Sequence, residues 1–125
     1  MDAQRPEDVS RELVTMLRRG DVDAVMDLYE PDALFADVDA VYVGSAEIRT
    51  AHERFVEAGL ELTLRESATL RVGELALVHW SWSVSDGAGT TVEGSSAEVL
   101  RRQPDGSWKF VIDNSDGPEV IGLVR

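Results

Sequence analysis

The first thirty residues carry apolar positions that repeat every three or four residues, and this spacing predicts two short helices. Pro6 suits the first turn of the first helix, and Gly20 suits its end. Asp21 can cap the second helix with its carboxylate, and Pro31 ends that helix. The two apolar stripes consist of Val9, Leu13, Met16 and Leu17, and then of Val22, Val25, Met26 and Tyr29.

The rest of the chain alternates between apolar and polar residues and contains one further helix. Residues 33–38 have the period-2 pattern of a short strand, and residues 41–43 can pair back onto it. Ser45 is a candidate N-cap for a third helix, which Gly59 ends. Four long strands separated by turns are then predicted, in residues 60–72, 75–84, 91–103 and 108–114.

This order of elements predicts an α+β fold in which three helices cover one face of a strongly curved, mainly antiparallel sheet. Such a sheet, closed by helices, encloses a cone-shaped pocket suited to a small molecule. The 125 residues suffice for one domain. We expect a single domain over residues 1–125, with a core at about 7–117 and a tail at 118–125.

Charge and composition narrow the range of partners. The chain has 12 Lys and Arg against 24 Asp and Glu, a net charge of −12, which disfavours nucleic acid and anionic membranes. We therefore expect a small apolar or neutral ligand. There are no cysteines, and neither a secretory signal nor a spanning apolar run is visible, so a cytoplasmic location is expected. No metal-binding or phosphate-binding motif is present, so no metal and no cofactor is predicted.

Three stretches, residues 18–37, 44–49 and 96–117, resemble the nuclear transport factor 2-like superfamily, which includes ketosteroid isomerase and the SnoaL-like polyketide cyclases. The resemblance covers roughly residues 7–117 and is strongest to an uncharacterised bacterial subgroup of the SnoaL-like branch. It implies the cystatin-like cone described above. The superfamily contains isomerases, cyclases, dehydratases, epoxide hydrolases and proteins without enzymatic activity, so the resemblance indicates the fold more closely than the reaction.

The resemblance also implies a catalytic site. Ketosteroid isomerase uses a carboxylate base, a tyrosine and a protonated carboxylic acid. Asp37 corresponds to the base and Glu98 to the protonated acid, while Leu13 stands in the place of the tyrosine. Asp113 is the third candidate catalytic residue, on a face that family position turns towards the cavity. Each carboxylate has an alternative: Asp37 and Asp113 as turn residues, and Glu98 as the partner of an arginine across the sheet.

The strand at 75–84 has two possible orientations. In the first, His79 and Ser81 face the pocket, and Trp80 and Trp82 project from the outer face, where Trp108 joins them to form a homodimer interface. In the second, the tryptophan rings fill the cone and the protein is a monomer. We adopt the first. The residues expected to contact substrate are then Phe35, Tyr42, His79, Ser81 and Val111.

Three functions are consistent with these residues. The first is a proton-transfer enzyme of the isomerase, cyclase or dehydratase type, with Asp37 as general base acting on an apolar metabolite. The second is addition of water to an epoxide, with Asp37 activating the water. The third is a non-catalytic, dimeric ligand-binding module, which the missing tyrosine would permit.

Overall fold

The structure is a computed structural model that describes residues 5–122. Its elements follow the order that the sequence predicts. The helices are α1 (Asp8–Arg18), α2 (Val22–Met26) and α3 (Ser45–Glu57), and a 3-10 helix spans Gly117–Gly122. The strands are β1 (Tyr29–Ala36), β2 (Val41–Val43), β3 (Glu61–Val72), β4 (Leu75–Ser85), β5 (Thr91–Arg102) and β6 (Trp108–Asn114). Of the predicted tail, residues 118–122 lie in the 3-10 helix and 123–125 lie outside the described residues.

The six strands form one curled sheet in the order β2-β1-β6-β5-β4-β3. Neighbouring strands are antiparallel, except that β1 and β6 run parallel. Helix α1 packs against β3 and β6, while α3 packs against β1 and β2, so the helices close the concave side between the two edges of the sheet. The predicted α+β cone is confirmed. None of the helices in residues 5–122 is long and apolar enough to cross a membrane.

Local signals place most element boundaries correctly. Gly20 ends α1 with a φ of 67°, a backbone conformation that favours glycine, and the Asp21 carboxylate accepts from Ala24 N at 3.1 Å to cap α2. Two boundaries differ from the prediction. The cap position of α3 is Gly44 rather than Ser45, and Tyr29 begins β1 instead of ending α2. Helix α2 has only five residues, so its stripe ends before Tyr29.

A β-bulge in β3 reverses the faces of that strand halfway along. Leu64 pairs with Trp82 whereas Ser67 pairs with Trp80, so two residues of β3 oppose one of β4. Before the bulge, apolar residues face the helices. After it, the same alternation points outward, so the apolar positions of residues 60–72 do not stay on one face of the sheet. The exposed positions are Leu70, at 65%, and Val72, at 78%.

A second bulge, in β6, decides which of its residues face inward. Leu100 pairs with Phe110 and Val99 pairs with Ile112, so Val111 is an extra residue in the strand. Trp108 and Phe110 are buried on the inner side, and Ile112 is exposed on the outer side. The predictions that Trp108 contributes to an exposed outer surface and that Val111 faces the cavity are therefore both wrong.

The orientation of β4 is the second of the two alternatives. The Trp80 ring is buried with the Arg11 guanidinium 5.2 Å from its centroid, and Trp82 Nε1 donates to Ser115 O at 2.6 Å on the inner side. His79 is exposed on the opposite face. The Ser81 hydroxyl accepts from the backbone N–H at position 66, at the β3 bulge. Burying two indole rings inside the cone removes far more apolar surface from water than burying a histidine and a serine would.

Gly94 provides a test of how the Trp82 ring packs. It lies opposite Trp82 in the β4–β5 register, and a Cβ at that position would overlap the Trp82 ring. We expect Gly94→Ala to lower the free energy of unfolding by about 1–3 kcal/mol, the usual cost of overpacking. Urea denaturation followed by tryptophan fluorescence measures this. Gly122→Ala is the control, because nothing lies within 4 Å of its Cβ. Equal stability of the two variants would contradict the packing of the Trp82 ring over Gly94.

Candidate functional site

A cavity of about 410 Å³ lies between the concave face of the sheet and helices α1 and α3. Its volume suits a small organic molecule. Most of its wall is apolar. The larger apolar side chains that line it are Leu13, Leu17, Phe35, Val38, Phe55, Leu60, Leu62, Leu64, Trp80, Trp82, Val84 and Val92.

Two carboxyl groups lie on the inner wall. Glu98 of β5 and Asp113 of β6 are opposite each other in the strand register, and their residues are only 2% and 5% exposed. Glu98 Oε1 accepts from the Ser10 hydroxyl at 3.1 Å. Among the described residues, Glu98 Oε2 has no hydrogen-bond partner, and neither does the buried Trp80 Nε1. The described residues therefore leave one buried carboxyl oxygen and one buried N–H without a hydrogen bond.

Burial gives these carboxyl groups unequal acidity. It raises the pKa of Glu98 to about 8, and the neighbouring Asp113 charge adds to the rise, which the hydroxyls of Ser96 and Ser10 oppose. Burial likewise raises the pKa of Asp113 to about 6, against the effect of the hydrogen bond from Tyr29. At pH 7 the pair therefore consists mainly of a neutral Glu98 and an ionised Asp113.

A short hydrogen-bonded chain connects Asp113 to helix α3. The Tyr29 hydroxyl donates to Asp113 Oδ2 at 2.6 Å, and the Tyr29 hydroxyl oxygen also lies 2.9 Å from His52 Nε2. Burial lowers the pKa of His52 to about 4, so its ring is neutral at pH 7. The Phe35 ring packs against the His52 ring with centroids 5.2 Å apart. His52 lines the cavity, while Tyr29 is not part of its lining.

Sequence reasoning missed Ser10, Tyr29 and His52. A signal existed for His52, because it lies four residues after the buried Ile48 and three before Phe55, on the apolar face of α3. Ser10 similarly shares a helical face with Leu13. The apolar stripe indicated a core position for Tyr29, but its hydrogen-bond partners lie 23 and 84 residues away in sequence and could not be predicted.

Asp37 lies at the open end of the cavity. It lines the wall, and its Oδ1 accepts from the backbone N–H groups of Asp39 at 2.8 Å and Ala40 at 2.9 Å. Asp37 therefore lines the pocket and also stabilises the turn, so the two interpretations are compatible. Asp116 lies at the same end and accepts from Val38 N at 2.9 Å. Burial raises its pKa, and the charges of Asp37 and Asp39 add to the rise.

Of the residues expected to contact substrate, Phe35 lines the cavity and the other four lie outside its described lining. Tyr42 is on the edge strand β2, where its ring stacks on Phe35 with centroids 5.5 Å apart. His79 and Ser81 lie on the outward-facing positions of β4, and Val111 is the bulge residue of β6. These four predictions are corrected for the reasons given above: an edge position, the orientation of β4 and the bulge.

The cavity wall is acidic and carries no Lys or Arg among its described residues. Its ionisable side chains are Asp37, Asp39, His52, Glu98, Asp113 and Asp116. Within residues 5–122, no three His, Asp or Glu side chains are grouped closely enough to hold a metal ion. What the arrangement provides is proton donors and acceptors inside an apolar enclosure.

A cone of this topology with a ligand-sized cavity defines the nuclear transport factor 2-like class. The sequence profile of the SnoaL-like domain matches residues 10–111, and the chain belongs to that family. No curated protein gives a significant match to the sequence.

Solved structures share the fold at low sequence identity. A protein of unknown function with a cystatin-like fold from Nostoc punctiforme superposes with a TM-score of 0.78 at 11% identity, over 88% of this chain and 86% of its own. A protein from Streptomyces avermitilis, proposed to be a dehydratase of the NTF2-like family, gives 0.73 at 18% identity, over 87% and 90%. A proposed aromatic ring hydroxylase from Novosphingobium aromaticivorans gives 0.77 at 23% identity, over 89% and 85%.

The raised pKa of Glu98 makes stability depend on pH. As pH rises, the unfolded chain loses this proton near pH 4.5, whereas the folded protein holds it to about pH 8. The free energy of unfolding should therefore fall between pH 6.5 and 8, with a slope of up to ~1.4 kcal/mol per pH unit. In this window Asp113 has passed its pKa of about 6, and the folded protein keeps His52 neutral; the unfolded His52, with its ordinary pKa of 6.5, opposes the slope only at the lower end.

Urea denaturation at a series of pH values measures this slope. Glu98→Gln should flatten it, because the amide does not titrate. Glu66→Gln, at an exposed position on β3, is the matched control and should keep the wild-type slope. A slope that survives in Glu98→Gln would show that Glu98 is not the titrating group.

Proposed function

We propose that this protein is a proton-transfer enzyme that acts on a small, apolar, uncharged molecule bound in the cone. The observation that carries the proposal is the pairing of Glu98 and Asp113 in the cavity wall, with one carboxyl group neutral and the other ionised at pH 7. A neutral acid beside an ionised base is the requirement for removing a proton while stabilising the negative charge that develops.

The chemical roles follow from the hydrogen bonds. Asp113 Oδ2 is held by the Tyr29 hydroxyl, which leaves Oδ1 to remove a proton from carbon next to a carbonyl group. The neutral Glu98 donates a hydrogen bond to the carbonyl oxygen as it becomes an enolate. Ser10 orients the Glu98 carboxyl by donating a hydrogen bond to Oε1.

Asp37 is the second candidate for the base, as the family resemblance implies. It lines the cavity at the solvent end, where two backbone N–H groups hold one of its oxygens. The choice of Asp113 rests on its depth and on its pairing with Glu98. A direct comparison of the two variants decides between them.

The acidic wall supports the choice of ligand. The described lining of the cavity carries five carboxyl groups and no Lys or Arg, so it disfavours a ligand with a carboxylate or phosphate group. The protein as a whole has a net charge of −12, which adds to the repulsion of anions. The aromatic and leucine side chains that form most of the wall favour a hydrophobic ring system.

Exchange of α-protons for deuterium tests this proposal without knowledge of the natural substrate. The wild-type protein in D2O at pH 7 should accelerate exchange of 2-tetralone, an apolar ketone, as followed by proton NMR. Asp113→Asn should lower the rate by about 10²–10⁴-fold because it removes the base, and Glu98→Gln should lower it through the weaker donor. Glu66→Gln is the control. Loss of exchange in Asp37→Asn but not in Asp113→Asn would transfer the role of base to Asp37.

Two other functions have distinct outcomes in solution. Addition of water to an epoxide would incorporate solvent oxygen-18 into the product and would not accelerate exchange of the ketone. A non-catalytic binding module would bind 2-tetralone without accelerating exchange. The present proposal requires exchange.

The homodimer stays a prediction, with its interface carried by different residues. The outer face of the sheet presents Leu70, Val72, Leu75 and Ile112 as exposed apolar side chains, with Leu77 and Val99 half-buried among them. We propose that a second copy of the chain covers this surface. Adjacent strands contribute all of it, so a two-fold axis can place it against itself, and apolar residues there reduce the repulsion between two acidic chains.

Sedimentation at micromolar concentration tests the dimer. The wild-type protein should have about twice the 13.7 kDa mass of one chain. Leu70→Lys should yield monomers, because it would bury a charge in the interface. Val43→Lys, at an exposed valine on the edge strand β2, should remain dimeric. A wild-type species of 13.7 kDa would exclude the dimer.

A further inference from the structure

The hydrogen bonds that connect His52 to Tyr29 and Asp113 determine which of its two ring nitrogens carries the proton. The Tyr29 hydroxyl has a single proton, and it donates that proton to Asp113 Oδ2 at 2.6 Å. An ionised carboxylate can only accept, so this direction is set while Asp113 carries its charge. The Tyr29 oxygen is then an acceptor for its other neighbour, His52 Nε2, at 2.9 Å.

It follows that His52 carries its proton on Nε2. A neutral imidazole has one N–H and one lone pair, so Nδ1 is left as an acceptor. Within residues 5–122, Nδ1 has no hydrogen-bond partner, and it is not among the atoms that are sealed off from the cavity. The Phe35 and Tyr29 rings both pack against the imidazole, with centroids 5.2 Å and 5.6 Å away, and restrict its orientation.

We propose that His52 Nδ1 is the specificity-determining acceptor of the cavity, and that the ligand is an apolar molecule with a hydroxyl or N–H group that donates to it. This inference rests on the proposed function and names the substrate class more closely. It gives the cavity two complementary polar points. A donor at Glu98 on the sheet recognises an oxygen of the ligand, and an acceptor at His52 on α3 recognises a hydroxyl or N–H elsewhere on it.

Asp113 enforces this preference through Tyr29. Were Tyr29 to donate to His52 instead, Nδ1 would carry the proton and the cavity would prefer ligands with an acceptor at this point. The carboxylate excludes that arrangement because it would lose its only hydrogen bond from the described residues. Tyr29 and Asp113 are therefore positioning residues for the ligand group at His52, in addition to the role of Asp113 as base.

Binding of two ligands that differ in one proton donor tests the inference. 2-Naphthol and 2-methoxynaphthalene have the same ring system, and only the naphthol can donate to Nδ1. Titration calorimetry at pH 7 should show that the wild-type protein binds 2-naphthol about 10-fold more tightly, the ratio that a hydrogen bond of ordinary strength gives.

Three variants assign the preference to its source. His52→Phe should abolish it by weakening the naphthol alone, since the new ring keeps the packing against Phe35. Tyr29→Phe should reduce it, because the imidazole is then free to place its proton on either nitrogen. Tyr42→Phe is the matched control: that ring also contacts Phe35 but makes no hydrogen bond to His52, and the 10-fold ratio should persist.

Nitrogen-15 NMR of the ligand-free protein provides an independent readout that needs no variant to fold. The shifts of the two His52 nitrogens should identify Nε2 as protonated and Nδ1 as unprotonated at pH 7. A protonated Nδ1 would overturn the inference.

The outcomes separate this inference from the proposed function. Equal affinity of the wild-type protein for both ligands would refute the acceptor at His52 and leave the small-molecule site intact. A preference that survives in His52→Phe but disappears in Asp113→Asn would place the acceptor at Asp113 and refute the inference. Failure of both ligands to bind would contradict the proposed small-molecule function itself.

Discussion

The extra residue in β6 decides what the interior of this protein contains. A regular strand that buries Trp108 and Phe110 would continue with Ile112 inward and Asp113 outward. The bulge at Val111 reverses this, so that the apolar rings of Trp108 and Phe110 and the carboxylate of Asp113 all lie on the inner face of one strand. The bulge in β3 has the opposite effect, because it turns Leu70 and Val72 outward after the leucines of the cavity wall. One irregularity creates the polar part of the cavity, and the other an apolar outer surface.

Placing two carboxyl groups opposite each other in an apolar enclosure opposes folding. The cost is reduced because Glu98 keeps its proton and because the Tyr29 hydroxyl donates a hydrogen bond to the ionised Asp113. Ser10 on α1 and His52 on α3 extend these contacts to both helices that close the cone. These hydrogen bonds thus connect α1 and α3 to the sheet. The groups proposed to carry out the chemistry therefore also fix the position of the two helices.

The sequence predicted the order of elements, the α+β cone and the family, because periodicity, glycine positions and caps such as Asp21 act over a few residues. It also indicated Glu98 and Asp113 as candidate acids. It did not predict either bulge, since inserting one residue depends on partner strands rather than on local preference. The errors at Trp108 and Val111 follow from the bulge in β6 alone. His79 and Trp80 were misassigned for another reason: both faces of β4 are partly apolar, so only the competition for space inside the cone decides between them.

The inward position of the indole rings has a practical consequence. Trp80 and Trp82 line the cavity, while the third tryptophan of the chain, Trp108, is buried beneath Arg71 and is not part of the lining. Two of the three intrinsic fluorophores therefore sit where a ligand would displace water or stack against them, and the third supplies a constant background. The unlabelled protein is its own optical sensor, so a library of uncoloured compounds can be surveyed by emission alone, before any reaction or natural substrate is known.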